Sequence, residues 1–196
     1  MDTRSATIER ITSETRIQCT VLLDGTGESK ISTGLGFLDH MLQSFSKHSR
    51  IGITLSCKGD LNIDDHHTVE DVALVLGESV RQALGDGRGI ERFGHSYVAM
   101  DETLARAVID LSGRPAAVIN LGLKREMLGD VACENFEHFF RSLSNTLRCA
   151  LHVDVLRGEN DHHRAEAAFK ACARALKEAI ALTGTNIPST KGVIYE

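Results

Sequence analysis

Hydrophobic and polar positions along the chain change period several times, and the changes mark out elements. Thr15 to Leu23 reads as a strand, Asp24-Gly25-Thr26-Gly27 as a turn, and Glu28 to Thr33 as a returning strand, which together predict a hairpin. From Phe37 to His48 the apolar residues Leu38, Met41, Leu42 and Phe45 recur at helical spacing. Ile51, Ile53 and Leu55 then alternate as a strand. A long helix follows from Asp65 to Leu84, closed by Gly85 and Gly87. The same order then returns. Ser96 to Asp101 and Ala105 to Leu111 read as strands, with Ala116 to Leu121 as an added one. Phe136 to Ala150 is helical, Leu151, Val153 and Val155 alternate, and Asp161 to Leu182 forms a second long helix.

The pattern predicts an α+β fold of two internally duplicated ββαβα halves, each a mixed sheet with helices on one face. The halves span residues 1–88 and 89–184 within one globular domain, followed by a tail at 185–196. The long helices can be compared at about 100° per residue. With His66 at zero, Val69, Val72, Ala73, Leu76, Val80 and Ala83 fill an arc of roughly 240° to 340°. With His162 at zero, Ala165, Ala168, Phe169, Cys172, Leu176 and Ala179 fill the same arc. The buried stripes coincide position by position.

The polar residues of these helices repeat too. Asp65-His66-His67-Thr68-Val69-Glu70 returns as Asp161-His162-His163-Arg164-Ala165-Glu166. Each copy follows an acidic-His pair, Asp39-His40 or Glu137-His138, at gaps of 26 and 24 residues between histidines. Three His and one Glu per copy is the ligand chemistry of a divalent transition metal, and two copies point to two related ions. His66 and Glu70 lie four residues apart and share one helical face, as do His162 and Glu166. His67 and His163 project about 100° away from their neighbours, so each is expected to serve a different ion. Symmetry then predicts one ion on His66, Glu70, His138 and His163, and a second on His162, Glu166, His40 and His67. Four imidazole and carboxylate ligands suit manganese, iron, nickel or zinc, and on an octahedral ion they leave two positions open for water or substrate. His48, His95 and His152 fall outside the repeat.

Composition narrows the classes. The net charge of -5 lacks the basic footprint of a nucleic-acid binder. No apolar run reaches membrane-spanning length, and Met1-Asp2-Thr3-Arg4-Ser5 lacks the apolar core of a secretory signal. The five cysteines are odd in number and contain no Cys-x-x-Cys pair. Buried free thiols and a reducing cytoplasm are expected, without disulfides or zinc-thiolate sites.

At these residues the chain resembles imidazoleglycerol-phosphate dehydratases. The resemblance runs through Arg10-Ile11-Thr12-Ser13-Glu14-Thr15, Gly36-Phe37-Leu38-Asp39-His40-Met41 and both His-His motifs. It includes Arg92-Phe93-Gly94, Asp101-Glu102, Asp110-Leu111-Ser112-Gly113-Arg114-Pro115 and Ser189-Thr190-Lys191-Gly192, and so covers essentially the whole chain. The resemblance implies a hydro-lyase of histidine biosynthesis that converts D-erythro-imidazole glycerol phosphate to imidazole acetol phosphate. It implies two manganese ions per active site and a homo-24-mer with active sites at subunit interfaces. With no added phosphatase domain, a single activity is expected.

The reaction must remove a proton from carbon with no adjacent carbonyl. An imidazole ring made anionic between two manganese ions can expel hydroxide through a diazafulvene-like intermediate. By resemblance Glu14 moves the proton and contacts substrate, with Asp101 as the second candidate. Arg92, Arg114, Ser189 and Lys191 hold the phosphate, and the polar tail is expected to be ordered by it. A two-metal hydrolase and a non-catalytic metal-binding or storage protein are the alternatives. Histidine-rich, carboxylate-poor ligand sets disfavour the first, and basic residues placed for a phosphate disfavour the second.

Overall fold

The computed structural model describes residues 3–195. The first half runs β1 (Ser5–Ile11), β2 (Thr15–Leu22), β3 (Ser29–Ser32), α1 (Gly36–Ser49), β4 (Gly52–Gly59) and α2 (His66–Leu84). The second begins with β5 (Phe93–Met100), β6 (Thr103–Asp110) and β7 (Ala116–Asn120). A small hairpin follows, β8 (Met127–Leu128) and β9 (Val131–Ala132), then α3 (Cys133–Leu147), β10 (Ala150–Arg157) and α4 (Asp161–Ala179). The two main sheets have orders β1-β2-β4-β3 and β5-β6-β10-β7. In each, neighbours are antiparallel except for the last pair, β3 with β4 and β7 with β10, which is parallel.

The duplicated α+β plan therefore holds, with three strands rather than two ahead of the first helix in each half. The third strand expected only in the second half, β7, has its counterpart in β3. The predicted hairpin between β2 and β3 does not form, because β4 lies between them. A short Gly-rich turn reads alike whether its flanking strands pair or leave a slot. Here Ile53 and Leu55 fill the slot, opposite Val21 and Cys19 of β2, and extend the same buried face. The actual hairpin joins β1 to β2, with Thr12 N–H donating to the Thr15 carbonyl at 2.9 Å. β1 escaped the pattern because it is an edge strand whose inward Ala6 and Ile8 are only half buried.

Helices cover one face of each sheet. α2 packs on β1 and β2 and also on α3, while α4 packs on β5 and β6 and also on α1. The four helices thus lie between the sheets, and each long helix packs against a short helix of the other half. Every residue of the two predicted stripes is buried. Val75 and Ser79 of α2, and Ala167, Ala171 and Ala175 of α4, are buried beyond the stripes, because a helix between a sheet and another helix hides two faces. Phe139, Phe140 and Phe169 pack with ring centroids 4.7–5.6 Å apart and fill the centre. Gly77 lets α2 approach α3, since a Cβ there would lie 2.7 Å from the Leu143 carbonyl.

Three helix limits shift by three residues from the expected ones, the first being the start of α3 at Cys133 rather than Phe136. Arg148 takes a left-handed conformation (φ 55°) and ends α3 at Leu147. α4 stops at Ala179, and Leu182 instead bridges to Ile90. The five cysteines are free. Burial pushes the Cys19 thiol up to about 11 and that of Cys149 up to about 12, so neither is a reactive thiolate. No helix of the described residues is long and apolar enough to cross a membrane.

Candidate metal centres

The two His-His motifs open α2 and α4. Asp64 accepts from His66 N–H, and Asn160 from His162 N–H, each at 2.9 Å. These bonds satisfy N-terminal amides that a helix leaves unpaired. They start each helix so that the first His and the Glu four residues on face the same way.

Packing across the halves then adds a third ligand to each pair. α3 brings His138 to α2, where its Nε2 lies 3.3 Å from Glu70 Oε1 and its ring stacks on His66 at a centroid distance of 4.7 Å. α1 brings His40 to α4, where its Nε2 lies 3.4 Å from Glu166 Oε2, with His162 Nε2 at 3.1 Å from the same oxygen. In each cluster, His66-Glu70-His138 and His40-His162-Glu166, one ligand atom from each residue lies within 4.8 Å of the others. His138 Nε2 is buried and makes no hydrogen bond, which fits a ring nitrogen left for a cation. Two imidazoles and a carboxylate are a donor set for manganese, iron or zinc.

His67 and His163 join neither cluster. His67 Nδ1 is 3.0 Å from Asp60 Oδ2, and His163 Nδ1 is 2.8 Å from Glu102 Oε2. Both rings are thereby oriented through Nδ1, the arrangement that carboxylates impose on metal-ligating histidines. The Asp60 hydrogen bond raises the His67 pKa against partial desolvation, helped by the charges of Glu14 and Asp64. The expected four-ligand sets are therefore not complete within one chain. Glu14 and Asp101 stand beside these outer histidines, each 3.7 Å from Nε2, of His67 and His163 respectively.

The two clusters differ in their surroundings. Burial works to raise the Glu166 pKa, but Lys170, 2.7 Å from Oε1, together with His162 and His40, holds it below the usual value. Glu102 is held far below the carboxylate range by N–H groups of Asn160 and Glu159 and by His163. Sequence reading missed Asp60, Asn135 and Lys170, and took Glu102 only as part of a motif without a role. Lys170 was within reach, as a cation four residues after Glu166 on one helical face. The others are brought in by turns and by helix packing.

Arg92, Arg114, Ser189 and Lys191 line one cavity of ≈ 320 Å³, beside Ser112 and Ile194. Arg92 bonds Asp110 through Nε at 2.7 Å and the Pro188 carbonyl through Nη1 at 2.9 Å, and its guanidinium lies over the Phe93 ring. The tail that was expected to be ordered by substrate phosphate is packed down on the fold, with Ile194 buried against Gly87 and Gly113. Ile194, three residues beyond Lys191, anchors the tail together with the partly buried Ile187 and Tyr195. None of the eight metal-type ligands lines this cavity.

Comparison with known proteins places the chain in a family. The family model described as imidazoleglycerol-phosphate dehydratase matches residues 33–176. An imidazoleglycerol-phosphate dehydratase of Prosthecochloris aestuarii is 56% identical over 191 residues, covering 97% of this chain and 96% of the relative. One from Kluyveromyces lactis is 50% identical over 97% of both chains. The crystal structure of the Staphylococcus aureus enzyme matches with a TM-score of 0.83 at 38% identity, covering 91% of this chain and 99% of that one. A Pyrococcus furiosus structure matches with a TM-score of 0.81 at 32% identity, covering 95% and 99%. With the repeated ligand clusters and the basic cavity, these matches establish that the chain belongs to the imidazoleglycerol-phosphate dehydratase family.

Proposed function

We propose that this chain is a cytoplasmic hydro-lyase that converts D-erythro-imidazole glycerol phosphate to imidazole acetol phosphate in histidine biosynthesis, with two manganese ions per active site. Family membership supports the reaction. The observation that carries the two-ion reading is the pair of His-His-Glu clusters at equivalent places in the two halves. His66, Glu70 and His138 hold one ion, and His40, His162 and Glu166 the other. When bound, manganese supplies Lewis acidity that lowers the ring N–H pKa of the substrate and fixes the ring in place. Once it has given up its N–H proton, the ring would expel the side-chain hydroxyl, which would take up that proton and leave as water, giving a diazafulvene-like species. Glu14 takes the proton from the neighbouring carbon, and the resulting enol becomes the ketone. Arg92, Arg114, Ser189 and Lys191 bind the phosphate.

On this reading the site takes residues from more than one subunit. His67 and His163 stand outside the clusters with their rings oriented and Nε2 available to a fourth coordination position. The phosphate cavity likewise shares no residue with either cluster. Both facts support a homo-oligomer, proposed as 24 subunits, in which neighbours complete each other's sites.

The test is turnover of imidazole glycerol phosphate by purified protein, metal-stripped and manganese-reconstituted, with light scattering on the same samples. Manganese-dependent release of imidazole acetol phosphate by a large oligomer is expected. A two-metal hydrolase would release inorganic phosphate instead, and a storage protein would bind manganese without turnover. A fully active monomer would remove the shared-site part of the proposal.

A further inference from the structure

The two clusters are built on one plan but are held in place differently. In the first, His66 Nδ1 lies 3.1 Å from Asn135 Oδ1, and Asn135 Nδ2 lies 2.9 Å from Asp65 Oδ2. The Ala132 N–H donates to the same Asp65 oxygen at 2.8 Å. A carboxylate only accepts, so the Asn135 amide must turn its NH2 to Asp65 and its carbonyl to His66. The carbonyl in turn requires a proton on His66 Nδ1. The ring is thus held in the tautomer whose free lone pair is on Nε2, toward Glu70 and His138. Asn135 is buried, so no water competes for these bonds.

In the second cluster this device is missing. Asn135 stands three residues before His138 in α3, and the residue three before His40 in the equivalent α1 is Phe37. Phe37 meets His162 edge-on, with centroids 5.1 Å apart, and offers no acceptor. Among the described residues nothing hydrogen-bonds His162 Nδ1, so no partner holds a proton there, and Nε2 instead faces the Glu166 carboxylate at 3.1 Å, which favours the proton on the nitrogen that a metal ion would need free. A second difference acts in the same direction. Lys170 pairs with Glu166, whereas the position four residues after Glu70 is Leu74. A cation beside the ligand carboxylate competes with a metal ion for it.

We infer that Asn135 is a positioning residue and that the two ion sites are unequal: the His66-Glu70-His138 site fills first, and the His40-His162-Glu166 site is the weaker. The inference rests on the two-ion reading above. Loss of an outer partner of a ligating histidine typically weakens metal binding by about 10–100-fold. Both differences disfavour the second site.

The test is titration of the metal-stripped oligomer with Mn2+, reading free Mn2+ from its electron paramagnetic resonance signal. Two classes of one ion per chain are expected, about tenfold or more apart. His138→Ala should delete the tight class, and His40→Ala the weak one. Asn135→Leu should weaken the tight class by about 10–100-fold and leave the weak class in place, which general damage to the fold would not do. Lys170→Gln should tighten the weak class, an opposite sign that misfolding cannot mimic. If Asn135→Leu does not fold, the Lys170→Gln titration decides, and an unchanged weak class overturns the inference. Two ions of equal affinity in the parent protein also overturn it. Binding of fewer than two ions per chain is a different failure, that of the two-ion reading itself.

Discussion

Asp101 occupies in the second half the place that Glu14 occupies in the first. Glu14 sits in the turn between β1 and β2, and Asp101 in the turn between β5 and β6. Each carboxylate lies 3.7 Å from Nε2 of the second histidine of a His-His pair, Glu14 from His67 and Asp101 from His163. The duplication thus supplies two carboxylates in matching positions, the two proposed as proton carriers. Asp101 is one methylene shorter, and its side chain is 78% exposed against 49% for Glu14, so it is the less confined of the two.

That comparison sets the first expectation. Glu14→Gln should keep its manganese and lose about 10²–10⁴-fold in turnover, the usual contribution of a positioned acid or base. Asp101→Asn should lose less. Kinetics and elemental analysis on the same samples check both, and near-normal turnover by the Glu14 variant would move the role to Asp101.

Lys191→Ala should weaken capture of the phosphorylated substrate while both ions stay bound. A hydrogen bond to a charged group contributes about 1.5–3 kcal/mol, so kcat/KM should fall roughly 10–100-fold. A group that holds the phosphate equally in ground and transition states acts mainly on KM. Unchanged kcat/KM would place the phosphate elsewhere.

Gly113→Ala tests whether the packed tail builds the phosphate cavity. Gly113 has φ 75°, and a Cβ there would run into the Ile194 carbonyl. Both the conformation and the contact oppose a side chain. The variant should free the tail, seen as faster proteolysis after Lys191 and a higher KM, with metal content unchanged. An intact tail in this variant would show that Ile194 does not anchor it.

His48 should make the metal-free protein acid-sensitive. Burial lowers its pKa, and the charges of Lys170, Arg174 and Lys47 lower it further, against a smaller opposing effect of Glu166. The folded value lies below the unfolded one, so the fold favours the neutral ring. The stability this contributes is present above the ordinary imidazole value near 6.5 and is lost as pH falls through the folded value. His48→Gln should therefore lose less melting temperature than the parent between about pH 7.5 and about pH 5.5. Equal losses would show that His48 does not carry the effect.

Consecutive residues alone carried the duplication, the two long helices with their buried stripes, and the His-Glu pairs His66-Glu70 and His162-Glu166. These are local facts, because a helical period and an i,i+4 spacing are written in consecutive residues. Tertiary structure decided what the period does not encode. It set β4 between β2 and β3, since strand neighbours are chosen by which apolar faces continue one another. It brought His138 to α2 and His40 to α4, because each long helix packs on a short helix of the other half. It gave His66 the Asn135 amide and His162 the Phe37 ring, a difference carried by a residue three positions before each upstream histidine and made meaningful only when the helices meet. It also packed Ile194, with Ile187 and Tyr195, onto the core and so held down a tail whose composition reads as free, because a few apolar side chains that leave water outweigh several polar ones that stay in it.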